Sequence, residues 1–394
     1  MTVTAPLRGA KFQAHARTEP APHRILFLAD HLGPDDGGRS GVHGVTTYLL
    51  DVLPPLKAAG NEVGACFLRH PNPAAETLRA AGVEVSFLQT HRFDPFVIDQ
   101  IDEIVQRHGY GILHCTQFRA SLAARALARR RRGIKVALHM HDLNMPPKPM
   151  RWLHHMLAAP DDVAVCVSAA AADVAVRGYH VRADRVRVVY TGIATEAFAP
   201  LAAAERAQIR QELGVPAKAP VLCLVGRFGL VKGHREMIGI FRLVVRRHPD
   251  AVLLMIGDGP ERPGCERLIA ELGLGDRVRL LGYRSDVARW LAASDVAVVP
   301  SRSEGLCRAA IEANMCGVPA VAFDVGGVRE ALSDPVCGEL VPAGDKVAFA
   351  TAIDRALGGA VVPLGDRRIR LARERFGVAD HLRALLACYD ELQP

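Results

Sequence analysis

The amino-acid sequence predicts an α/β protein made of two parallel-sheet domains, and three observations carry that reading. Short apolar, β-branched runs alternate with amphipathic stretches along nearly the whole chain, the pattern of strands buried on both faces by crossover helices. The alternation comes in two series, separated by a stretch from Ala197 to Pro220 that carries three isolated prolines, Pro200, Pro216 and Pro220. At 394 residues the chain is long enough for two domains that each bury a core.

In the first series strands are expected at Ile25–Ala29, Glu62–Leu68, Val83–Leu88, Gly111–His114, Lys135–Met140, Val163–Val167 and Arg187–Val189. A helix over Ala120–Ala128 runs into Arg129-Arg130-Arg131-Arg132, placed to complement the negative end of the helix dipole. Attraction to anionic lipid headgroups is a second reading of the same run. The second series predicts strands at Val221–Val225, Ala251–Ile256, Val278–Leu281, Val296–Val299 and Ala320–Phe323, with an amphipathic helix over Arg235–Arg247. The last segment, Leu371–Leu392, has apolar residues at helical spacing and can return to the first domain. The expected division is a disordered tail over 1–22, a first domain over 23–199, a connector over 200–216, a second domain over 217–375 and a C-terminal helix over 376–394.

Composition narrows the function classes. Apolar residues make up 49% and charged residues 23%, the balance of an ordinary globular chain. Residues 1–22 lack the apolar core of a signal peptide and no later run has membrane-spanning length, so the reading is cytoplasmic. Nine cysteines without a Cys-x-x-Cys pair point to reduced, buried thiols. The net charge of +7 invites a nucleic-acid reading, but the aromatic residues do not interleave with basic clusters, so a solvated basic surface is expected and no nucleic-acid partner. No short-period repeat is present, and no Gly-x-Gly-x-x-Gly follows the first strand, which argues against solenoids and against a nicotinamide dehydrogenase.

The chemistry concentrates in the second half. The stretch from Ser301 to Pro319 follows a strand and opens a helix, with Glu304 and Glu312 eight residues apart, about 12 Å of axis if all were helical. Gly305 permits close backbone approach, and the amides of Leu306, Cys307 and Arg308 at a helix N-terminus suit phosphate oxygens. A carboxylate beside an anion site makes sense if it accepts hydrogen bonds from uncharged hydroxyls. The plainer reading is that Glu304 caps the helix and Glu312 faces water. Upstream, a buried strand ends in a Gly-rich loop carrying Arg227 and Lys232, a planar fork and a point charge that suit two linked phosphates. Ile256-Gly-Asp-Gly-Pro260 reads as a structural turn, and Gly282-Tyr283-Arg284 ends another strand where Tyr283 or Arg284 can lie against a base.

Together, Gly-Arg-x-x-x-x-Lys-Gly at Gly226–Gly233, the Glu304/Glu312 pair, Cys-Gly-Val-Pro-Ala-Val at Cys316–Val321 and Asp324-Val-Gly-Gly327 resemble the retaining glycosyltransferases of family 4. Those enzymes have the GT-B fold, two facing Rossmann-like domains with a cleft between them, and the resemblance runs from Ile25 to about Leu392. It implies that Glu304 contacts donor-sugar hydroxyls and Glu312 the ribose. Arg227 and Lys232 would hold the diphosphate, and the Gly226 loop and the Gly305–Arg308 backbone would complete the donor site. His141-Asp142 looks like the family's His-Asp near the reacting carbon, so His141 joins Arg227, Lys232 and Glu304 as catalytic candidates; His139, on the same strand face, competes.

The acceptor side departs from the family. His43-Gly44-Val45 stands where Gly-Gly-Val usually opens the first helix, and an insertion-like Pro34–Gly41 precedes it. Pro54-Pro55 is expected to kink or break that helix, and Thr191-Gly192-Ile193 replaces the usual Asn-Gly-Val.

The resemblance implies transfer of a sugar, with retention, from a nucleotide-diphosphate sugar to a hydroxyl acceptor in surface-glycan, glycolipid or small-molecule glycoside synthesis. UDP is favoured over GDP because no carboxylate immediately follows Arg284, although Asp286 is close. No Asp-x-Asp occurs, so the two cations are expected to replace a metal and no cofactor is required. Peripheral contact with the inner face of a membrane is a further expectation. A sugar-nucleotide epimerase of the same architecture and a non-catalytic sugar-nucleotide-binding partner remain the alternatives.

Overall fold

The apolar runs form two all-parallel sheets. The structure, a computed structural model, describes residues 22–32, 44–91, 94, 96–216, 218–358 and 365–392. The expected tail up to residue 21, Pro34–Gly41 and His43 lie outside the described residues.

The first unit runs β1 (Arg24–Ala29), α1 (Gly44–Ala58), β2 (Glu62–Phe67), α2 (Ala75–Ala80), β3 (Glu84–Phe87), α3 (Val97–His108), β4 (Ile112–Thr116), α4 (Phe118–Arg130), β5 (Lys135–Met140), α5 (Lys148–Leu157), β6 (Val163–Cys166), α6 (Ala169–Tyr179) and β7 (Val186–Val188). α7 (Ala203–Glu212) leads to β8 (Val221–Val225), α8 (His234–Val245), β9 (Val252–Ile256), α9 (Arg262–Glu271), β10 (Val278–Gly282), α10 (Val287–Ala293), β11 (Val296–Val299), α11 (Arg308–Met315), β12 (Ala320–Phe323), α12 (Val328–Ala331), β13 (Gly338–Val341) and α13 (Lys346–Leu357). α14 (Gly365–Phe376) and α15 (Val378–Asp390) close the chain.

The sheet orders are β3-β2-β1-β4-β5-β6-β7 and β10-β9-β8-β11-β12-β13. In each, the order reverses between the first and fourth strands of the series, so that crossovers leave on opposite faces and a crevice opens at the strands' carboxyl ends.

Three elements differ from the sequence reading. β13 was not expected: Gly338-Glu-Leu-Val is short and carries a glutamate, yet it pairs in parallel with β12. The C-terminal segment is two helices, broken at Gly377, where the chain bridges to Ile193. α1 is not broken by Pro54-Pro55. Each internal proline costs roughly 3 kcal/mol. Against that, Tyr48, Leu49, Val52, Leu53 and Leu56 are all buried, at roughly 1.5–3 kcal/mol for a side chain of this size. Packing therefore outweighs the lost helix hydrogen bonds.

α15 lies in the first unit's core, where Leu385, Cys388 and Tyr389 share a cluster with Ile25, Phe27 and Val52. The arginine run closes α4: Arg129 donates to the Ala158 carbonyl, and Arg130 and Arg131 pair with Asp99 and Asp102. All nine cysteines are buried and unpaired. Among the described residues no helix is long and apolar enough to cross a membrane.

Candidate active site

β8 and β11 flank the switch point of the second sheet, and the loops that follow them carry the predicted residues. The turn after β9 supports the first loop, with the Gly226 amide donating to Ile256 and the Phe228 amide to Asp258. A cavity of about 380 Å³ opens there. The second unit lines it with Gly226, Arg227, Lys232, Glu304, Gly305, Leu306, Cys307, Arg308 and Glu312, and the first with Gly44, Val45, Thr47, His141, Val167 and Thr191. Every predicted site residue among the described ones therefore faces one space, except Tyr283 and Arg284.

Those two follow the edge strand β10, two strands away from β8. Tyr283 is 48% exposed. Arg284 makes a bidentate pair with Asp286, both bonds 2.8 Å, and lies over the Trp290 ring. The hydrogen bonds from Arg284 hold the Asp286 carboxyl down at about 2. Neither residue contributes to the cavity wall.

Glu304 and Glu312 are each 8% exposed, so neither is a surface residue. The Glu304 carboxylate accepts from Lys232 Nζ at 2.8 and 2.9 Å and from Ser301 Oγ at 2.7 Å. Burial works against the lysine's charge, but the field and hydrogen bonds of Glu304, with Cys307 and Glu312 behind it, keep the ammonium pKa above its ordinary value. Glu304 does not cap α11. The N-cap is Cys307, held at a left-handed φ of 75° with no side-chain cap hydrogen bond, so the helix starts at the cavity wall without the usual Ser, Thr, Asp or Asn cap.

The sequence points to Arg308 for its backbone amide, and its side chain does more. It donates to Glu312 at 3.2 Å, to Asp51 on α1 at 2.7 Å and to the Gly192 carbonyl at 3.2 Å, so one guanidinium spans both units. Burial raises the Glu312 and Asp51 carboxyls, with Arg308 opposing the shift in each. Asp51, Thr47 and Thr191 escaped the sequence reading as site residues. Only Thr191 left a signal, as part of the altered Thr191-Gly192-Ile193.

The two candidate histidines are placed differently, although both line a neighbouring cavity beside Asp30 and Gln117. His141 lines the cavity; His139 is buried behind it, stacked at 3.8 Å between ring centroids. Tyr48 packs edge-on against His141 at 4.6 Å. The wall continues through His139 Nδ1 to His114 Nε2 at 2.9 Å and His114 Nδ1 to the Tyr389 hydroxyl at 2.7 Å. Burial drives His139 and His114 well below the ordinary histidine range, so both are neutral. His381 Nδ1 donates to the Tyr190 carbonyl, which leaves Nε2 to accept from the Tyr48 hydroxyl.

The two units touch where glycines allow it. A Cβ on Gly305 would lie 2.2 Å from the His141 carbonyl oxygen, and one on Gly327 would lie 2.0 Å from the Gly305 oxygen and 2.8 Å from Ser168 Cβ. All three distances are shorter than a Cβ can tolerate. Gly305 and the Asp324-Val-Gly-Gly327 motif thus permit the close approach of the two units at this seam.

Two facing Rossmann-like domains, with a cavity at the carboxyl ends of both sheets, define the GT-B class of glycosyltransferases. The comparisons agree. Residues 42–197 match the family model described as Glycosyltransferase Family 4, and residues 205–375 match that of Glycosyl transferases group 1. The D-inositol 3-phosphate glycosyltransferase of Saccharomonospora viridis is 30% identical over 356 residues, covering 80% of this chain and 81% of that one. Its counterpart in Thermomonospora curvata is 29% identical over 79% and 82%. Among solved structures, a glycosyltransferase from Rickettsia africae superposes with a TM-score of 0.81 at 20% identity, over 94% of this chain and 98% of that one. HepE of Anabaena, in complex with UDP, gives 0.79 at 21%, over 93% and 99%. The chain belongs to the group 1, family 4 glycosyltransferases and is an enzyme of that class.

Proposed function

We propose that the protein is a retaining, metal-independent transferase that moves a sugar from a UDP-sugar to a hydroxyl acceptor. One observation carries the reading: Arg227, Lys232 and the uncapped start of α11 converge on a single cavity that also holds the carboxylates of Glu304 and Glu312. Positive charge and free amides suit a diphosphate, while an acidic side chain beside them suits hydroxyls.

The acceptor hydroxyl attacks on the face from which the diphosphate leaves, and its proton passes to a departing phosphate oxygen. Arg227 and Lys232 neutralise the charge that grows there, and no enzyme nucleophile is needed. His141 packs at the junction of the two units, where the reacting carbon would sit. UDP is favoured because Asp286 is engaged by Arg284 and Trp290 rather than turned toward a guanine, and because HepE has been solved with UDP and with UDP-glucose.

The acceptor is assigned to a second cavity of about 230 Å³ on the other side of His141, at the switch point of the first sheet. Asp30, His31, Gln117 and Asn144 line it. Gln117 sits at φ 70° and ψ 164°, a costly conformation for a non-glycine residue, while its side chain accepts from the Asp30 amide at 2.9 Å. Such polar groups fit a polyol. The names of the curated relatives make D-inositol 3-phosphate the first acceptor to assay.

A thermal-shift screen of UDP, GDP, ADP and TDP sugars tests the donor, since a ligand at a hundred times its dissociation constant adds about 2.7 kcal/mol. Stabilisation by UDP species, followed by an acceptor product with the donor's anomeric configuration, is the expected result. Interconversion of the donor without acceptor would identify an epimerase instead. Binding without transfer to any acceptor would leave a sugar-nucleotide-binding partner.

A further inference from the structure

Residues 143–160 contain Lys148, Arg151 and two histidines and not one Asp or Glu. They form α5 and the loop that reaches it from His141-Asp142. On α5, Pro149, Trp152, Leu153 and Met156 recur at intervals of three and four, which places them on one helical face. Among the described residues nothing covers that face: Trp152 is 62% exposed, Met156 56% and Leu153 39%. Among the described residues, four of the ten exposed large apolar side chains fall within positions 145–156.

The orientation of α5 is fixed from behind. His154, on its inner side, is fully buried against Arg125, which also holds Asp162 at 2.9 Å and donates to the Tyr179 carbonyl at 2.6 Å. The helix cannot roll its apolar face inward without breaking that buried cluster. Around the face, neither Lys148 nor Arg151 pairs with a carboxylate among the described residues.

An exposed apolar stripe with Trp at its centre, beside cations that pair with no carboxylate among the described residues and within a segment that carries no acid of its own, has the chemistry of an interfacial helix. We propose that this face of α5 docks on an anionic phospholipid bilayer. The apolar side chains enter the headgroup boundary and Lys148 and Arg151 meet the lipid phosphates. The loop 142–147 joins α5 to the rim of the cavity lined by Gln117, His141 and Asn144, so docking turns that mouth toward the membrane surface. The inference rests on the exposed face alone and stands apart from the choice of donor.

Trp152 supplies the readout, because the only other tryptophan, Trp290, is 6% exposed. The full chain is mixed with phosphatidylcholine vesicles and with vesicles containing about 30% phosphatidylglycerol, and sedimentation and tryptophan emission are followed. A blue shift and at least about tenfold stronger partition on the anionic vesicles are expected, both weakened when salt rises from about 0.05 to about 0.5 M. The W152S/M156S double variant should lose the partition, and K148E/R151E the anionic preference. Thermal unfolding by circular dichroism with a midpoint matching the parent's would show that both variants are folded. Equal partition on the two vesicle types, no partition, or an emission shift that follows protein concentration without vesicles would overturn the proposal; the last would show that a second copy covers the face.

Discussion

Lys232 and Glu304 lie within 2.9 Å of each other, so a diphosphate in the cavity must share the lysine with the carboxylate. The lysine side chain is 37% exposed and that of Glu304 only 8%, so removing the lysine leaves a buried carboxylate without its cation. The role proposed for the pair is chemical. Lys232→Ala and Arg227→Ala are each predicted to raise the barrier by about 2.7–4 kcal/mol, a loss of about 10²–10³ in kcat, by analogy with removal of one oxyanion donor. Steady-state rates with a UDP-sugar check this, and near-normal turnover in both variants would refute the assignment. Gly305→Ala acts differently. Its new methyl group has no room against the His141 carbonyl, so closure of the cleft should fail while nucleotide binding by the second unit persists. A fall in kcat with an unchanged UDP dissociation constant is the expected pattern.

At the scale of elements, the strands that were legible are those with both faces buried, because such strands are continuous apolar runs. β8, β11 and β12 match their expected limits for that reason. β13, as short as β11 and β12, is only partly buried at the sheet edge and its glycine and glutamate interrupt the apolar run, while the break between α14 and α15 lies at a single glycine inside an unbroken helical pattern. The loops proposed to hold the donor were legible because their residues are local: Gly226 to Gly233 and Ser301 to Glu312 each sit within one strand-loop-helix unit. Asp51 and Thr191 were not, since their place in the site depends on how the two units dock. α15 shows the same non-locality. Tyr389 completes the histidine wall from 275 positions away in the chain. Deleting residues 377–394 removes Leu385, Cys388 and Tyr389 from the first core and should abolish cooperative unfolding of that unit, read by circular dichroism, while the second unit keeps its own core.

For the whole molecule, the buried histidines set the response to acid. Burial lowers His381 to about 4, against an ordinary value of 6.5. Between those values the unfolded chain binds a proton that the folded chain refuses, so stability is fully present above 6.5 and falls as pH drops toward 4. For His381 alone the loss from pH 7 to 5 is about 2 kcal/mol. His114 and His139 shift in the same direction and add to it. Denaturant unfolding at the two pH values checks this, and His381→Gln should flatten the dependence. Constant stability from pH 7 to 5 would mean that the wall is not neutral when folded.

The two units share one reaction only if the second grips a pyrophosphate. Calorimetric titration with UDP and with uridine, on the parent and on Lys232→Ala, measures that grip directly. UDP should bind the parent at least about a hundredfold more tightly than uridine, and Lys232→Ala should erase most of the difference while leaving uridine unchanged. Equal affinity for UDP and uridine in the parent would contradict the account.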